Sequence, residues 1–210
     1  MIQDKNPKTK VDRTMIEQIL VGAERAFLES GYELATMDSI ARHAGVARGS
    51  VYNHFASKEE LFLTMMRQGT HDFVERTTHE DTESKPPLEK LHSVAVAFLR
   101  AATESVSIEM YRMVVTHAGR VPQLSKLFYE QGLQAIEAKF REILRLAQPE
   151  LIDDAALAAD HLLSLLMGGY FNRKLLGAPK HSADRSIEKY VDKAIASLLK
   201  SSRAPSRTRS

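Results

Sequence analysis

"GVARGSVYNHFASKEEL", residues 45–61, holds a helix stop, a short polar helix and a new helix start. Gly45 ends an apolar segment and can take the left-handed conformation that closes a helix. Val51 and Phe55 are i, i+4 neighbours on a third helix, so their shared face is apolar. If that face is buried, Arg48, Gly49, Tyr52 and Asn53 point outward from the first turns. Ser57 and Glu60 then match a capping box, in which the serine oxygen meets the N3 amide and the glutamate reaches back to the cap amide. Leu61, Phe62, Met65 and Met66 carry the apolar face of the fourth helix that follows.

Upstream, Ile16, Ile19, Leu20, Ala23, Ala26 and Phe27 follow the i, i+3, i+4, i+7 spacing of an amphipathic helix, which Gly31 in "SGY" closes. A second short helix runs from its N-cap, Thr36, to Ala44. Its Ile40, Ala41 and Ala44 can pack against Val46, Val51 and Phe55. Downstream, Thr77 to Lys85 is polar and Pro86-Pro87 stops any helix, so a loop and a boundary zone are predicted there. Helices are predicted at roughly 87–103, 106–118, 122–147, 153–175 and 184–201, with breaks at "GRVP", "AQPE" and "LGAPKHS". The basic, proline-containing end "SSRAPSRTRS" reads as a disordered tail. No run alternates with period two, so the fold class is all-α, with about nine helices.

Composition narrows the function. The 210 residues are 43% hydrophobic and 27% charged, as an ordinary globular protein is. There is no cysteine, which removes disulfides, thiolate catalysis and cysteine-ligated zinc. The opening "MIQDKNPKTK" has no apolar leader, and no stretch of about 18 apolar residues occurs, so a cytoplasmic protein without a membrane partner is expected. H-E-x-x-H, P-loop and G-x-S-x-G patterns are missing, and the eight histidines are scattered. No metal, cofactor or catalytic set is therefore expected, although a helical enzyme remains an alternative.

The net charge of +2 conceals a local pattern. Residues 1–60 carry eight Lys/Arg against nine Asp/Glu, yet no acid lies between Asp38 and Glu59. Arg42, His43, Arg48, His54 and Lys58 fall in that window. A phosphate backbone requires such a window, because a misplaced carboxylate repels it. A short helix crossing another at a glycine turn, polar near its N-terminus, fits a helix-turn-helix reader of the major groove. Gly49, a poor helix former, would let backbone approach a duplex. A solvated polar face fits the same helix geometry, and geometry alone leaves both readings open.

"TMDSIARHAGVARGSVYNHFASKEELF", residues 36–62, preceded by "IEQILVGAERAFLESGYELAT", resembles the DNA-binding signature of the TetR family of transcriptional regulators. "YRMVVTHAGRVPQLSKLFYEQG", residues 111–132, is similar to the AefR-like subgroup. The resemblance implies a helix-turn-helix domain at 1–56, an effector-binding and dimerisation domain at 57–201 and the tail at 202–210. It implies that the third helix, with Gly49 and Ser50 in its first turn, lies in the major groove. Arg48 would sit near base edges or a phosphate, and Asn53 would help choose sequence. Tyr52, His54 and Lys58 would bond phosphates, and Thr36 would offer its helix's amide end to another. Ala47, where the family often has Ser or Thr, weakens the N-cap of helix three.

The resemblance further implies a repressor that binds a palindromic duplex operator as a homodimer and is released by a small apolar effector. For the effector, the candidates are Met66, Phe73, Phe98, Met110, Met113, His117, Phe128 and Tyr129, methionine and aromatic residues that suit an adaptable pocket. Packing in the chain's own core explains the same spacing. For the dimer, the candidates are Leu165, Gly168, Gly169, Ile187, Tyr190, Val191 and Ala194, on two helices that could form a four-helix interface. A plain intramolecular core is the alternative there too. An architectural DNA-binding protein without an effector would share only the first domain.

Overall fold

Gly31 and Gly45, the two glycines expected to end helices, both have positive φ, 75° and 67°. The computed structural model describes residues 7–78, 85–147, 154–178 and 186–202, with side chains from residue 12 to residue 200 of these. Among the described residues every regular element is helical. α1 spans Pro7–Leu34, α2 Met37–Ala44, α3 Arg48–His54 and α4 Lys58–Thr78. α5 spans Pro87–Ala102 and α6 Ser105–His117. α7 covers residues 122–147 and α8 residues 155–175, each with a π-helical stretch inside, and α9 is Ile187–Ser202. The all-α fold class holds.

The punctuation explains most boundaries. α1 does not stop at Gly31 but kinks there, with ψ 166°, and adds a turn to Leu34. That combination of angles is open to glycine almost alone. Thr36 caps α2 as expected. Its Oγ1 accepts from the Ser39 amide at 3.1 Å while Ser39 Oγ accepts from the Thr36 amide at 2.9 Å, a reciprocal box not foreseen from the sequence. At the other end the Gly45 amide bonds Arg42 O and the Val46 amide bonds Ala41 O, the two bonds of a Schellman motif. α4 opens with Ser57 Oγ accepting from the Glu60 amide at 3.1 Å. Glu60 reaches back one residue beyond the cap, to the Ala56 amide at 2.8 Å.

The loop predicted from Thr77 begins later. Thr77 and Thr78 belong to α4, and the fully buried Thr77 hydroxyl donates to Phe73 O at 2.9 Å. That bond satisfies a polar side chain without breaking the helix. Residues 79–84, much of "AQPE" and "LGAPKHS", and the tail beyond Ser202 lie outside the described residues.

The chain divides into two compact units: Met1–Gly69 with Glu109–Ser125, and Thr70–Ile108 with Lys126–Ser210. In the first, Ile19, Ala23, Ala26 and Phe27 of α1 are buried, as are Ile40, Ala41, Val51, Phe55, Leu61 and Phe62. Gly22 marks where α1 touches α2: a Cβ there would lie 2.5 Å from both the Cβ and the amide nitrogen of Ala44. In the second, α5 packs on α7 and α9, and α8 packs on α7 and α9. Phe73, Phe98 and Phe140 form an edge-to-face row with centroids 5.9 and 6.3 Å apart. Arg100 of α5 pairs with Glu188 of α9, and His92 with Asp192 at 3.2 Å. A backbone hydrogen bond at its own helix start, then Arg100, hold the Glu188 carboxyl below the usual carboxylate range.

Gly22→Ala should lower the unfolding free energy by about 1–3 kcal/mol, as overpacking does. Urea unfolding checks this, and a wild-type midpoint would show that α2 can move aside at no cost.

Candidate nucleic-acid interface

Burial splits α3 lengthwise. Val51 inside it and Phe55 just after it face the core, while Arg48, Gly49, Tyr52 and Asn53 are exposed. Ser50 and His54 are half-buried along the edges. Ala47 stands at the N-cap with no side-chain hydrogen bond, as its chemistry requires. Nothing lies within 4 Å of a Cβ built on Gly49, so no contact inside the chain demands glycine there. Thr36, twelve residues before α3, is exposed, and its cap box with Ser39 closes the start of α2.

Cations counted along the sequence turn out to have partners. Arg48 Nε lies 2.9 Å from Asp38 Oδ1, and the guanidinium carbon is 5.4 Å from the Tyr52 ring centroid. His43 Nε2 lies 2.6 Å from Glu29 Oε2. The acid-free window is real along the chain, but the fold brings acids to two of its members from outside it.

Lys58 departs furthest from the reading carried by resemblance. Its ammonium donates to Tyr32 O at 2.7 Å, Glu33 O at 3.1 Å and Ala35 O at 3.0 Å, and sits 4.6 Å from the Tyr32 ring centroid. An ammonium has three donors, and here all three meet carbonyls at the end of α1. Lys58 therefore ties the start of α4 to the end of α1, where a cation also complements the helix dipole. Burial first, then the carboxylates of Glu59 and Glu33, push the Tyr32 hydroxyl above its usual range.

The effector candidates belong to both units. Met66, Met110, Met113 and His117 fall in the first unit, and Phe73, Phe98, Phe128 and Tyr129 in the second. His117 is 6% exposed and packs edge-on against Tyr32 at 5.0 Å. Its Nδ1 lies 3.8 Å from Glu33 Oε1, which also accepts from Arg120 at 3.1 Å. His117 is thus a packing residue of the first unit. Phe98 is buried in the aromatic row, whereas Tyr129 is 57% exposed. A groove of about 580 Å³ between α5 and α9 is lined by residues such as His92, Asp192 and Ile195, and none of the eight candidates.

The dimer candidates also divide. Leu165 and Gly168 are exposed and Ile187 is half-buried, but Val191 and Ala194 lie in the chain's own core. They have no surface to offer a partner. Gly169 serves an internal contact: the Tyr190 hydroxyl would lie 2.0 Å from a Cβ there and donates to Leu165 O at 2.7 Å. Leu157, which the sequence did not single out, is exposed two helical turns before Leu165 on the same side of α8. Among the described residues no group of three or more His, Asp or Glu could hold a metal ion, and no helix is long and apolar enough to cross a membrane.

Lys58→Ala should cost about 1–3 kcal/mol of stability, the range for charge-assisted hydrogen bonds. The salt dependence of DNA binding should stay unchanged. Loss of about one unit from the slope of log affinity against log salt would instead return Lys58 to the phosphates.

Two family models match the chain. One, described as bacterial regulatory proteins of the tetR family, matches residues 19–65, and the other, described as the AefR-like transcriptional repressor C-terminal domain, matches residues 89–201. The HTH-type transcriptional repressor BepR of Brucella suis biovar 1 is 28% identical over 196 residues, 90% of this chain and 92% of its own. A TetR-family regulator from Mesorhizobium loti has the same fold, with a TM-score of 0.76 at 24% identity over 90% of this chain and 97% of its own. The flavonoid-responsive regulator FrrA superposes with a TM-score of 0.72 at 26% identity, over 91% of this chain and all of its own. On the match to the AefR-like C-terminal domain, which spans more than half its length, and on the second match across its helix-turn-helix segment, the chain belongs to the TetR family of bacterial transcriptional regulators.

Proposed function

We propose that this regulator represses transcription by placing two copies of α3, one from each subunit of a homodimer, in successive major grooves of a pseudo-palindromic operator. The observation that carries the reading is the division of α3. Its apolar residues are buried, and Arg48, Gly49, Tyr52 and Asn53 stand exposed within the segment matched by the tetR-family model. Arg48 is the candidate for a guanine edge, because arginine bonds guanine O6 and N7 with two donors. Asn53 is the second base-reading candidate. Tyr52, His54, Ser50 and the start of α2 at Thr36 are assigned to the backbone, where contacts fix register without reading sequence. Lys58 is left out of that set, since its ammonium is already satisfied.

The homodimer is assigned to the exposed side of α8, with Leu157, Leu165 and Gly168, together with Ile187 and the half-buried Tyr190 of α9. A small apolar effector is assigned to the second unit. There the row Phe73, Phe98 and Phe140 makes an aromatic core against which an apolar ligand would have to pack. FrrA, described as flavonoid-responsive, supports a ligand of that apolar, aromatic kind. The ligand would bind the DNA-incompetent arrangement more tightly, and only that difference in affinity can shift the equilibrium. α4 is one continuous helix whose first residues belong to the first unit and whose last belong to the second, so its tilt can carry the change.

Arg48→Ala should weaken operator binding by about 1–3 kcal/mol and relax the preference at one base pair. Fluorescence anisotropy on matched and single-substituted duplexes measures both, and an unchanged affinity would remove Arg48 from the reading surface. Leu165→Glu should weaken self-association at least roughly tenfold by placing an unpaired carboxylate in the interface. Sedimentation equilibrium reads this, and an unaltered dimer would move the interface elsewhere.

A further inference from the structure

Asp38 and Arg48 stand ten residues apart, on different helices, and the fold joins them at 2.9 Å. Asp38 sits in the first turn of α2, where a carboxylate is favoured by the helix dipole. Arg48 opens α3. Both side chains are more than half exposed, so this pair contributes little to stability. Its geometry says more than its energy. The closest approach of this ion pair is at Nε, on the stem side of the guanidinium. The two terminal amino groups, which can reach O6 and N7 of a guanine, lie beyond that closest contact. A second restraint comes from Tyr52, one turn further along α3, whose ring lies beside the guanidinium. A flexible side chain is thus held from α2 on one side and from α3 on another, and pre-organisation of this kind reduces what is lost on binding.

The carboxylate also has an effect of its own. Wherever Arg48 meets DNA, Asp38 lies beside it and is repelled by the phosphates, whatever the sequence. It therefore weakens binding at sites where the arginine has no guanine to meet. At the matching site the gain from an aligned arginine offsets that repulsion. One residue then acts with opposite sign on general affinity and on base choice.

We propose that Asp38 is a positioning residue for sequence choice. Its carboxylate attracts the guanidinium from the Nε side, which leaves the terminal amino groups to face a guanine, and its charge suppresses binding to unrelated DNA. The proposal rests on the reading of α3 as the groove reader, and the experiment separates the two.

Full-length wild type, Arg48→Ala, Asp38→Ala, Asp38→Asn and the Arg48→Ala/Asp38→Ala double variant are titrated by fluorescence anisotropy. The probes are the duplex that wild type enriches from random DNA, the same duplex with each half-site guanine replaced in turn, and an unrelated duplex. Thermal melting confirms that each variant is folded. Arg48→Ala should lower discrimination at one guanine by roughly 5- to 150-fold. Asp38→Ala should lower discrimination at that same guanine by about three- to tenfold while binding the unrelated duplex more tightly. Asp38→Asn, which keeps the side chain's size without its charge, should bind the unrelated duplex more tightly and keep only part of the discrimination. In the Arg48→Ala background, Asp38→Ala should leave discrimination unchanged.

If Asp38→Ala preserves discrimination where Arg48→Ala destroys it, or weakens all duplexes alike, the proposal falls and the reading of α3 stands. If Arg48→Ala alters discrimination at no guanine, both fall.

Discussion

Backbone meets backbone where Gly22 of α1 passes Ala44 of α2, close enough that a methyl group at position 22 would overlap the Ala44 amide. The rest of the first unit depends on that approach. α2 lies against α1, so Ile40 and Ala41 face inward, and the Schellman turn at Gly45 sends the chain into α3 at a set angle. Val51 and Phe55 then anchor the back of α3. At the far side Lys58 bonds three carbonyls at the end of α1 and fixes where α4 begins. A seven-residue helix such as α3 is too short to be stable alone, so these contacts have to supply both its fold and its orientation. The exposed face of α3 is held in place by these neighbours.

The second unit uses glycine differently. The two π-helical stretches among its described residues each contain one that admits a side chain from another helix. Gly132 lies in Leu127–Leu133, with the Thr70 methyl 3.3 Å from where its Cβ would be. Gly169 lies in Leu166–Phe171 against the Tyr190 hydroxyl. Tyr190 also donates to the carbonyl of Leu165, the residue just before the second stretch, at 2.7 Å. Such stretches recur at functional positions in helical proteins, and here they lie on the two helices, α7 and α8, that flank the aromatic core of this unit.

Local signals in the sequence carried the helical layout well. Caps and glycine stops need only a few adjacent residues, so Thr36, Gly45, Ser57 and Glu60 were readable, and so was the inward turn of Val51 and Phe55. What escaped was pairing across the fold. Gly22 sits inside a helical pattern with no local mark of its purpose, since its partner is twenty-two residues away. Gly169 looked like a place for a second helix to approach, and it is, but the visitor is Tyr190 of the same chain. Val191 and Ala194 were on an apolar stripe that could face a partner or the core, and periodicity cannot tell those apart. The resemblance points Lys58 at phosphates and residue type points His117 at a ligand, whereas the fold sets the first against carbonyls at the end of α1 and the second against Tyr32. Asp38 was counted as the edge of an acid-free window, when its side chain turns back onto Arg48.

The most direct measurement is selection of random duplex DNA by the purified full-length protein, followed by titration of the enriched sequence over a range of salt. An α3 presented twice by a symmetric dimer requires an inverted repeat, with half-sites about 34 Å apart or a multiple of that, and an affinity that falls steeply as salt rises. Enrichment of a single unpaired half-site, or binding at low salt no tighter to the enriched duplex than to the starting pool, would contradict it.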